Sequence, residues 1–135
     1  MDLEVGDLLP LLVCADIKAE HDFLVEVLGF TSGGLERSDD GTVVHGEVRA
    51  GTHRIWLHPV TEGDDLLPPA RQGPSGGLVI QVADVDRHYE RLSATGGIIV
   101  YQPRDQPYGQ REYGVRDPEG HLWWIATATR APSTR

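Results

Sequence analysis

The chain has 135 residues, of which 39% are hydrophobic, and its 12 basic and 21 acidic residues give a formal net charge of −9. This length supports one domain with its own core, and the negative charge disfavours binding to a phosphate backbone, so we expect no nucleic-acid partner. No apolar run approaches the roughly 18 residues of a membrane-spanning helix. The N-terminus lacks the basic start of a signal peptide, so we expect a cytoplasmic protein with no membrane partner.

The first half of the chain predicts the element order β, α, β, β, β. An apolar strand is expected at 8–14, and a helix is expected from the N-cap Asp16 to Leu28, before Gly29. Three strand-like segments separated by glycine turns follow at 30–38, 43–50 and 53–59. Residues 61–76 are rich in Gly, Pro and Asp, lack apolar periodicity and therefore predict a linker.

The second half of the chain repeats the first. Asp84 follows Asp16, and Trp124 follows Trp56, at the same offset of 68 positions. This offset also aligns the ends of both predicted helices, so duplication is the economical explanation. The expected elements are a helix that begins at the Asp84 cap and ends before Gly96, and strands at 77–82, 98–104, 110–116 and 121–127.

Two such modules define the expected fold. Neither module buries its sheet alone, so we expect one α+β domain over 1–135, in which two tandem βαβββ modules form a half-open barrel with helices outside. The concave interior of such a barrel is the default place for a ligand. Exposed sheet edges favour a homodimer.

Two segments carry a resemblance to a known family. The run 109–121, GQREYGVRDPEGH, resembles the last hairpin of the vicinal oxygen chelate superfamily, which includes glyoxalase I, bleomycin-resistance proteins and extradiol dioxygenases. The segment 13–17, with Phe23 and 28–30, is similar to the start of the family's first module. In the run 109–121, Asp117, Pro118 and Gly120 predict a tight turn.

The resemblance also implies four positions at which metal-dependent members hold a divalent ion. In this chain those positions are Leu9, Trp56, Gly77 and Trp124. Hydrocarbon, glycine and indole offer no suitable lone pair, so we predict no metal and no other cofactor. The metal-dependent isomerase and dioxygenase activities are then not expected, and the chain is closest in character to the metal-free, antibiotic-binding members.

The two tryptophans are the main candidate site residues. The resemblance implies that Trp56 and Trp124 face the cavity, where they could hold a planar aromatic ligand, each ring face contributing about 0.5–1.5 kcal/mol beyond its buried area. The alternative is that both indoles fill a solid interior. Strand alternation places Arg54 and His58 on the face of Trp56. They are candidates for polar contact with the ligand, or rim residues bonded to water.

Further candidates surround the strand at 110–116. Tyr108 is a candidate to close the mouth of the cavity, or an exposed turn residue, and Arg111 and Tyr113 follow on one face of the strand. Trp123 is expected to pack under a helix. His121 is expected to bond a local carbonyl.

These residues favour metal-independent binding of a planar aromatic small molecule. The role would be antibiotic sequestration and resistance, or carriage of an intermediate in an antibiotic pathway. The alternative is a lyase or isomerase of the glyoxalase or dioxygenase type with a non-standard site. Its base would be Glu47 or Glu112. Its acid would be His58 or Tyr113.

Overall fold

Both halves of the chain fold in the predicted order of elements, and the fold class is α+β. The computed structural model describes residues 4–63 and 65–129. They divide into two compact units, the first ending at Leu67 and the second beginning at Pro68. This boundary lies inside the segment that the sequence predicts as a linker. Within the described ranges, no helix combines the length and apolar character needed to cross a bilayer.

The first unit is a four-stranded sheet with one helix against it. Strands β1 and β4 are parallel, the other neighbours are antiparallel, and the strand order is β1-β4-β3-β2. The elements are β1 (Leu11–Cys14), α1 (Ile17–Glu26), β2 (Thr31–Arg37), β3 (Val43–Ala50) and β4 (His53–Pro59).

The second unit repeats this topology, with the order β5-β8-β7-β6 and a parallel β5–β8 pair. Its sheet is covered by α3 on one face. The elements are α2 (Pro69–Gln72), β5 (Gly77–Gln81), α3 (Val85–Ser93), β6 (Ile98–Asp105), β7 (Gln110–Arg116) and β8 (Leu122–Ala128).

The predicted helix caps are confirmed in both units. The Asp16 carboxylate accepts a hydrogen bond of 3.0 Å from the backbone N–H of Ala19, and Asp84 accepts one of 3.1 Å from Arg87. Each bond satisfies one of the backbone donors that a helix N-terminus leaves unpaired. The duplicated Asp therefore caps the equivalent helix in each unit.

The structure differs from the prediction at the start of β1 and within the predicted linker. Strand β1 begins at Leu11 rather than at residue 8, because Pro10 has no backbone N–H to donate to the neighbouring strand. The Pro10 carbonyl still accepts a hydrogen bond of 3.0 Å from the backbone N–H of Trp56. The predicted linker contains α2, a single helical turn with Pro69 at its start. The N–H of Ala70 in that turn donates to the Glu119 carbonyl at 2.8 Å, which ties the segment to the second unit.

Each sheet has a helix face and a helix-free face. In β4, Ile55 and Leu57 are buried on the helix face, whereas Trp56 between them is 37% exposed on the helix-free face. In β8, Trp123 is buried on the helix face, as predicted, and Trp124 is half-buried on the other. Both duplicated tryptophans therefore lie on the helix-free face of their own sheet.

The two modules differ by one residue in the pairing of their last hairpins. Glu47 pairs with Trp56 in the first unit, but Gly114 pairs with Trp124 in the second. The β3–β4 hairpin turns through two residues, 51–52, whereas the β7–β8 hairpin turns through five, 117–121. Because one loop has an even and the other an odd number of residues, the two hairpins have opposite registers. Each side chain of β7 therefore lies on the face of its sheet opposite to that of its equivalent in β3.

Asp117 organises the five-residue loop. Its Oδ1 accepts from the backbone N–H groups of Glu119 and His121 at 3.0 and 2.9 Å, and its Oδ2 accepts from the Trp123 indole at 2.7 Å. The His121 ring bonds this carboxylate through Nδ1 at 2.9 Å. Gly120 completes the predicted turn with φ +88°, a conformation that favours glycine.

We predict that Asp117→Ala lowers the free energy of unfolding by about 3 kcal/mol, because it leaves several buried donors without an acceptor. Asp84→Ala, which removes one exposed cap, is expected to cost about 1 kcal/mol. Urea unfolding monitored by circular dichroism measures both. Equal losses in the two variants would contradict the assigned role of Asp117.

Candidate functional site

In the second unit, Trp124 lies against a glycine on the neighbouring strand. A Cβ atom at Gly77 would stand 2.5 Å from Cζ3 of the Trp124 ring and 2.7 Å from the carbonyl oxygen of Leu122. Real Cβ atoms do not approach other heavy atoms so closely. Gly77 therefore leaves the space that the indole occupies.

A concavity lies beside Trp124 on the helix-free face. Its volume is about 630 Å³, within the roughly 300–1,000 Å³ of small-molecule sites. Apolar, aromatic and charged side chains all contribute to its wall. Among them are Val79, Tyr101, Arg104, Tyr108, Glu112 and Trp124.

Two phenols converge on one carboxylate oxygen in this concavity. The Tyr101 O–H donates to Oε1 of Glu112 at 3.0 Å, and the Tyr108 O–H donates to the same oxygen. Burial, followed by the bond to Glu112, raises the pKa of Tyr101 to about 12, and the bond to Glu112 raises the pKa of Tyr108. Both phenols are therefore protonated at neutral pH and act as donors.

Irregular pairing of β6 with β7 brings Tyr101 and Arg104 to the same face. Tyr101 pairs with Gly114 and Arg104 with Glu112, so three positions along β6 match two along β7. The Arg104 guanidinium carbon consequently lies 4.1 Å from the centre of the Tyr101 ring. Neither residue is among the candidates predicted from the sequence. Pro103, which cannot donate to a ladder, was the available signal for a bulge.

In the first unit, Trp56 is held by Glu47. The indole N–H donates to Oε1 at 3.0 Å, and the Arg49 guanidinium donates to Oε2 at 3.0 and 3.1 Å. The bond from Trp56, followed by the bond from Arg49, lowers the pKa of Glu47. The His45 ring meets the indole edge to face at 5.6 Å. A concavity of about 290 Å³ lies beside this group.

Arg54 and His58 lie on the same strand as Trp56. The Arg54 guanidinium is 3.5 Å from the Asp7 carboxylate. Arg54 also lines a separate concavity of about 570 Å³ together with Leu9, which precedes β1. His58 is half-buried. Arg54 is therefore near Trp56 in sequence but contributes to a different concavity.

Arg111 and Tyr113 lie on the helix face of β7, away from Trp124. Arg111 forms an ion pair of 3.0 Å with Asp86 of α3. Tyr113 is fully buried, its hydroxyl lies 2.6 Å from Nδ1 of His88, and burial raises its pKa. The register of β7 places both side chains on the face of the sheet opposite to Trp124. Tyr108, in contrast, lines the concavity and is 59% exposed.

Comparison with known proteins identifies the family. The model of the Glyoxalase/Bleomycin resistance protein/Dioxygenase superfamily matches residues 8–125. The chain belongs to this superfamily.

Three superfamily relatives illustrate the similarity. The chain is 28% identical over 125 residues to the uncharacterized protein Mb0911c of Mycobacterium bovis, covering 90% of this chain and 82% of that protein. The crystal structure of TioX from Micromonospora sp. ML1 shares 29% identity at a TM-score of 0.72, over 92% of this chain and 99% of TioX. The bleomycin-binding protein of Streptomyces verticillus, solved with copper(II)-bleomycin, shares 23% identity at a TM-score of 0.65, over 96% and 100% of the two chains. At this identity, the similarity to the bleomycin-binding protein shows a common fold alone.

The residues at the four metal positions that the family resemblance implies do not fit a divalent ion. Leu9 and Gly77 have no donor atom in their side chains, and the indole nitrogen of Trp56 is itself a hydrogen-bond donor. The Trp124 ring fills the space above Gly77 that a side-chain ligand would need. The site is therefore built from aromatic rings and one buried carboxylate rather than from metal ligands.

We predict that Gly77→Ala displaces the Trp124 ring and lowers the free energy of unfolding by about 2 kcal/mol, because the added methyl group overpacks the site. Gly76→Ala is the matched control, since a Cβ there meets nothing within 4 Å. The measurements are urea unfolding and the combined emission spectrum of Trp123 and Trp124 in a Trp56→Phe background. An unchanged spectrum in Gly77→Ala would refute the close contact.

We also predict that the indole N–H resonance of Trp56 titrates with an apparent pKa below 4.5, the ordinary value for glutamate. The lowered pKa keeps the bond intact at neutral pH, and acid breaks it only once Glu47 is protonated. Proton–nitrogen correlation spectra between pH 6 and pH 3, on the order of the usual carboxyl range, measure the shift. The same titration should be absent in Glu47→Gln, and a midpoint above 4.5 would contradict the assigned bond.

Proposed function

We propose that this protein binds a planar aromatic small molecule, without a metal ion at the superfamily's metal positions, and that it sequesters or carries that molecule. The observation that carries the proposal is the Trp124 ring over Gly77, beside a concavity of about 630 Å³. An aromatic ring at a concave surface offers a large stacking area at low cost in conformational entropy.

The composition of the concavity supports an aromatic ligand. Trp124, Tyr101 and Tyr108 supply three rings, and Val79, which is 62% exposed, adds an apolar surface. Sites for small molecules combine such apolar walls with a few fixed polar groups. The bleomycin-binding protein of Streptomyces verticillus, which shares the fold, was solved with an antibiotic. It supports an antibiotic or a related molecule as the ligand class.

Trp56 is the proposed second stacking residue. Its ring is 37% exposed, and its orientation is fixed by the bond to Glu47, so little rotamer freedom is lost when a ligand binds. Arg54 and His58, on the same strand as Trp56, remain proposed polar contacts with the ligand. Tyr108 is proposed to contact the ligand at the concavity beside Trp124.

We predict that acridine binds the wild-type protein and that Trp124→Ala and Trp56→Ala each weaken binding by about tenfold, since loss of one stacked ring costs on the order of 1.4 kcal/mol. Isothermal titration calorimetry after dialysis against EDTA measures the affinity. Gly76→Ala, in open space, is the control and should bind as the wild type does.

Three outcomes would contradict the proposal. Unchanged affinity in both tryptophan variants would exclude stacking on these rings. Binding that requires an added divalent ion would exclude the metal-free site. Recovery of a chemically altered probe, detected by mass spectrometry, would favour the lyase or isomerase alternative.

A further inference from the structure

Glu112 has an unused acceptor oxygen in the concavity beside Trp124. The residue is only 6% exposed, yet it lines this concavity. Its Oε1 accepts from both Tyr101 and Tyr108, whereas its Oε2 accepts no hydrogen bond from any described residue. This oxygen is not fully enclosed by the protein, so a donor that enters the concavity can reach it.

The pairing of β7 and β8 places this oxygen within reach of a stacked ligand. Glu112 pairs with Ala126, and Trp124 pairs with Gly114, so the two side chains are diagonal neighbours on the helix-free face. Such neighbours lie about 7–8 Å apart. Ala126 and Gly114 are too small to separate them. A planar ring on Trp124 would therefore bring an edge substituent to Glu112.

We infer that Glu112 Oε2 receives a hydrogen-bond donor from the ligand, and that the ligand is a planar aromatic amine or amidine cation. This inference rests on the proposed binding function and specifies its ligand class. An ammonium or amidinium donor is the strongest match for a carboxylate acceptor. The protein's net charge of −9 also favours a cation.

Gln110 lines the same concavity. Its side-chain Oε1 is buried and has no hydrogen-bond partner among the described residues. Arg104 is the opposing charge, but it is exposed and lies over the Tyr101 ring rather than in the floor. Water screens an exposed guanidinium far more than it screens a buried carboxylate. The concavity beside Trp124 therefore favours a ligand that donates a hydrogen bond to Glu112.

The first unit provides a matched control. Glu47 is the carboxylate beside Trp56, but the indole occupies its Oε1 and Arg49 occupies its Oε2. Glu47→Gln is thus the same chemical change at a carboxylate whose two oxygens already have partners. Because Glu47 also holds Trp56, this change can weaken all three probes, but it should weaken them alike and leave the preference for an amino substituent unchanged.

The experiment compares three probes that share one ring system, namely 9-aminoacridine, acridine and acridine-9-carboxylate. Calorimetry at pH 7.5, a condition chosen to be about neutral, is carried out on the full-length wild type, Glu112→Gln and Glu47→Gln, with folding checked by circular dichroism. We expect the wild type to prefer 9-aminoacridine to the carboxylate by about tenfold or more. Glu112→Gln should lose about tenfold for 9-aminoacridine and little for acridine, and Glu47→Gln should retain the wild-type preference.

The inference fails if the wild type binds the carboxylate as tightly as the amine, a comparison that needs no variant. It also fails if Glu112→Gln weakens all three probes equally, which would indicate a structural role. If acridine binding still depends on Trp124 in either case, the proposed function stands and only the ligand class is overturned. If no probe binds, both are overturned.

Discussion

The pairing register of the β7–β8 hairpin determines the chemistry of the second unit. Its loop, 117–121, has an odd number of residues, whereas the equivalent turn in the first unit has two. One residue of slip sends every side chain of a strand to the opposite face. Glu112 therefore lies on the helix-free face with Trp124, and Tyr113 lies under α3. The Asp117 carboxylate, which binds the loop's donors, maintains this register.

The same slip makes the two duplicated tryptophans chemically different. Trp56 stands directly opposite the Glu47 carboxylate and donates to it, so the indole N–H and one carboxylate oxygen satisfy each other's hydrogen-bonding capacity. Trp124 stands opposite Gly114, and its nearest carboxylate is diagonal. The duplication thus supplies a tryptophan at the same position in each unit. Beside Trp56 both oxygens of Glu47 accept hydrogen bonds, whereas beside Trp124 only one oxygen of Glu112 accepts any from the described residues. The second unit is the one in which a ligand would find an unsatisfied acceptor.

Membership of the superfamily and the nature of the site are separate conclusions. The superfamily model covers residues 8–125, and the fold agrees with that of solved relatives. A fold carries many chemistries, and the side chains at the site decide among them. Gly77 and Trp124 stand at two of the positions that the family resemblance implies for metal ligands, and neither side chain has a suitable donor atom. The rings and the buried Glu112 direct the proposed function towards binding rather than metal-assisted catalysis.

The sequence by itself determined the element order and both helix caps, because caps and turns are local properties. It also identified the duplication, since one offset aligns Asp16 with Asp84 and Trp56 with Trp124. It assigned Arg111 and Tyr113 to the ligand, and it missed Tyr101 and Arg104. Those placements depend on the hairpin loop and on the β6 bulge, which set the register between strands. Only the tertiary structure decides register, because register depends on which residues pair across the loop, and the predicted strands left four residues between β7 and β8 where the structure has five.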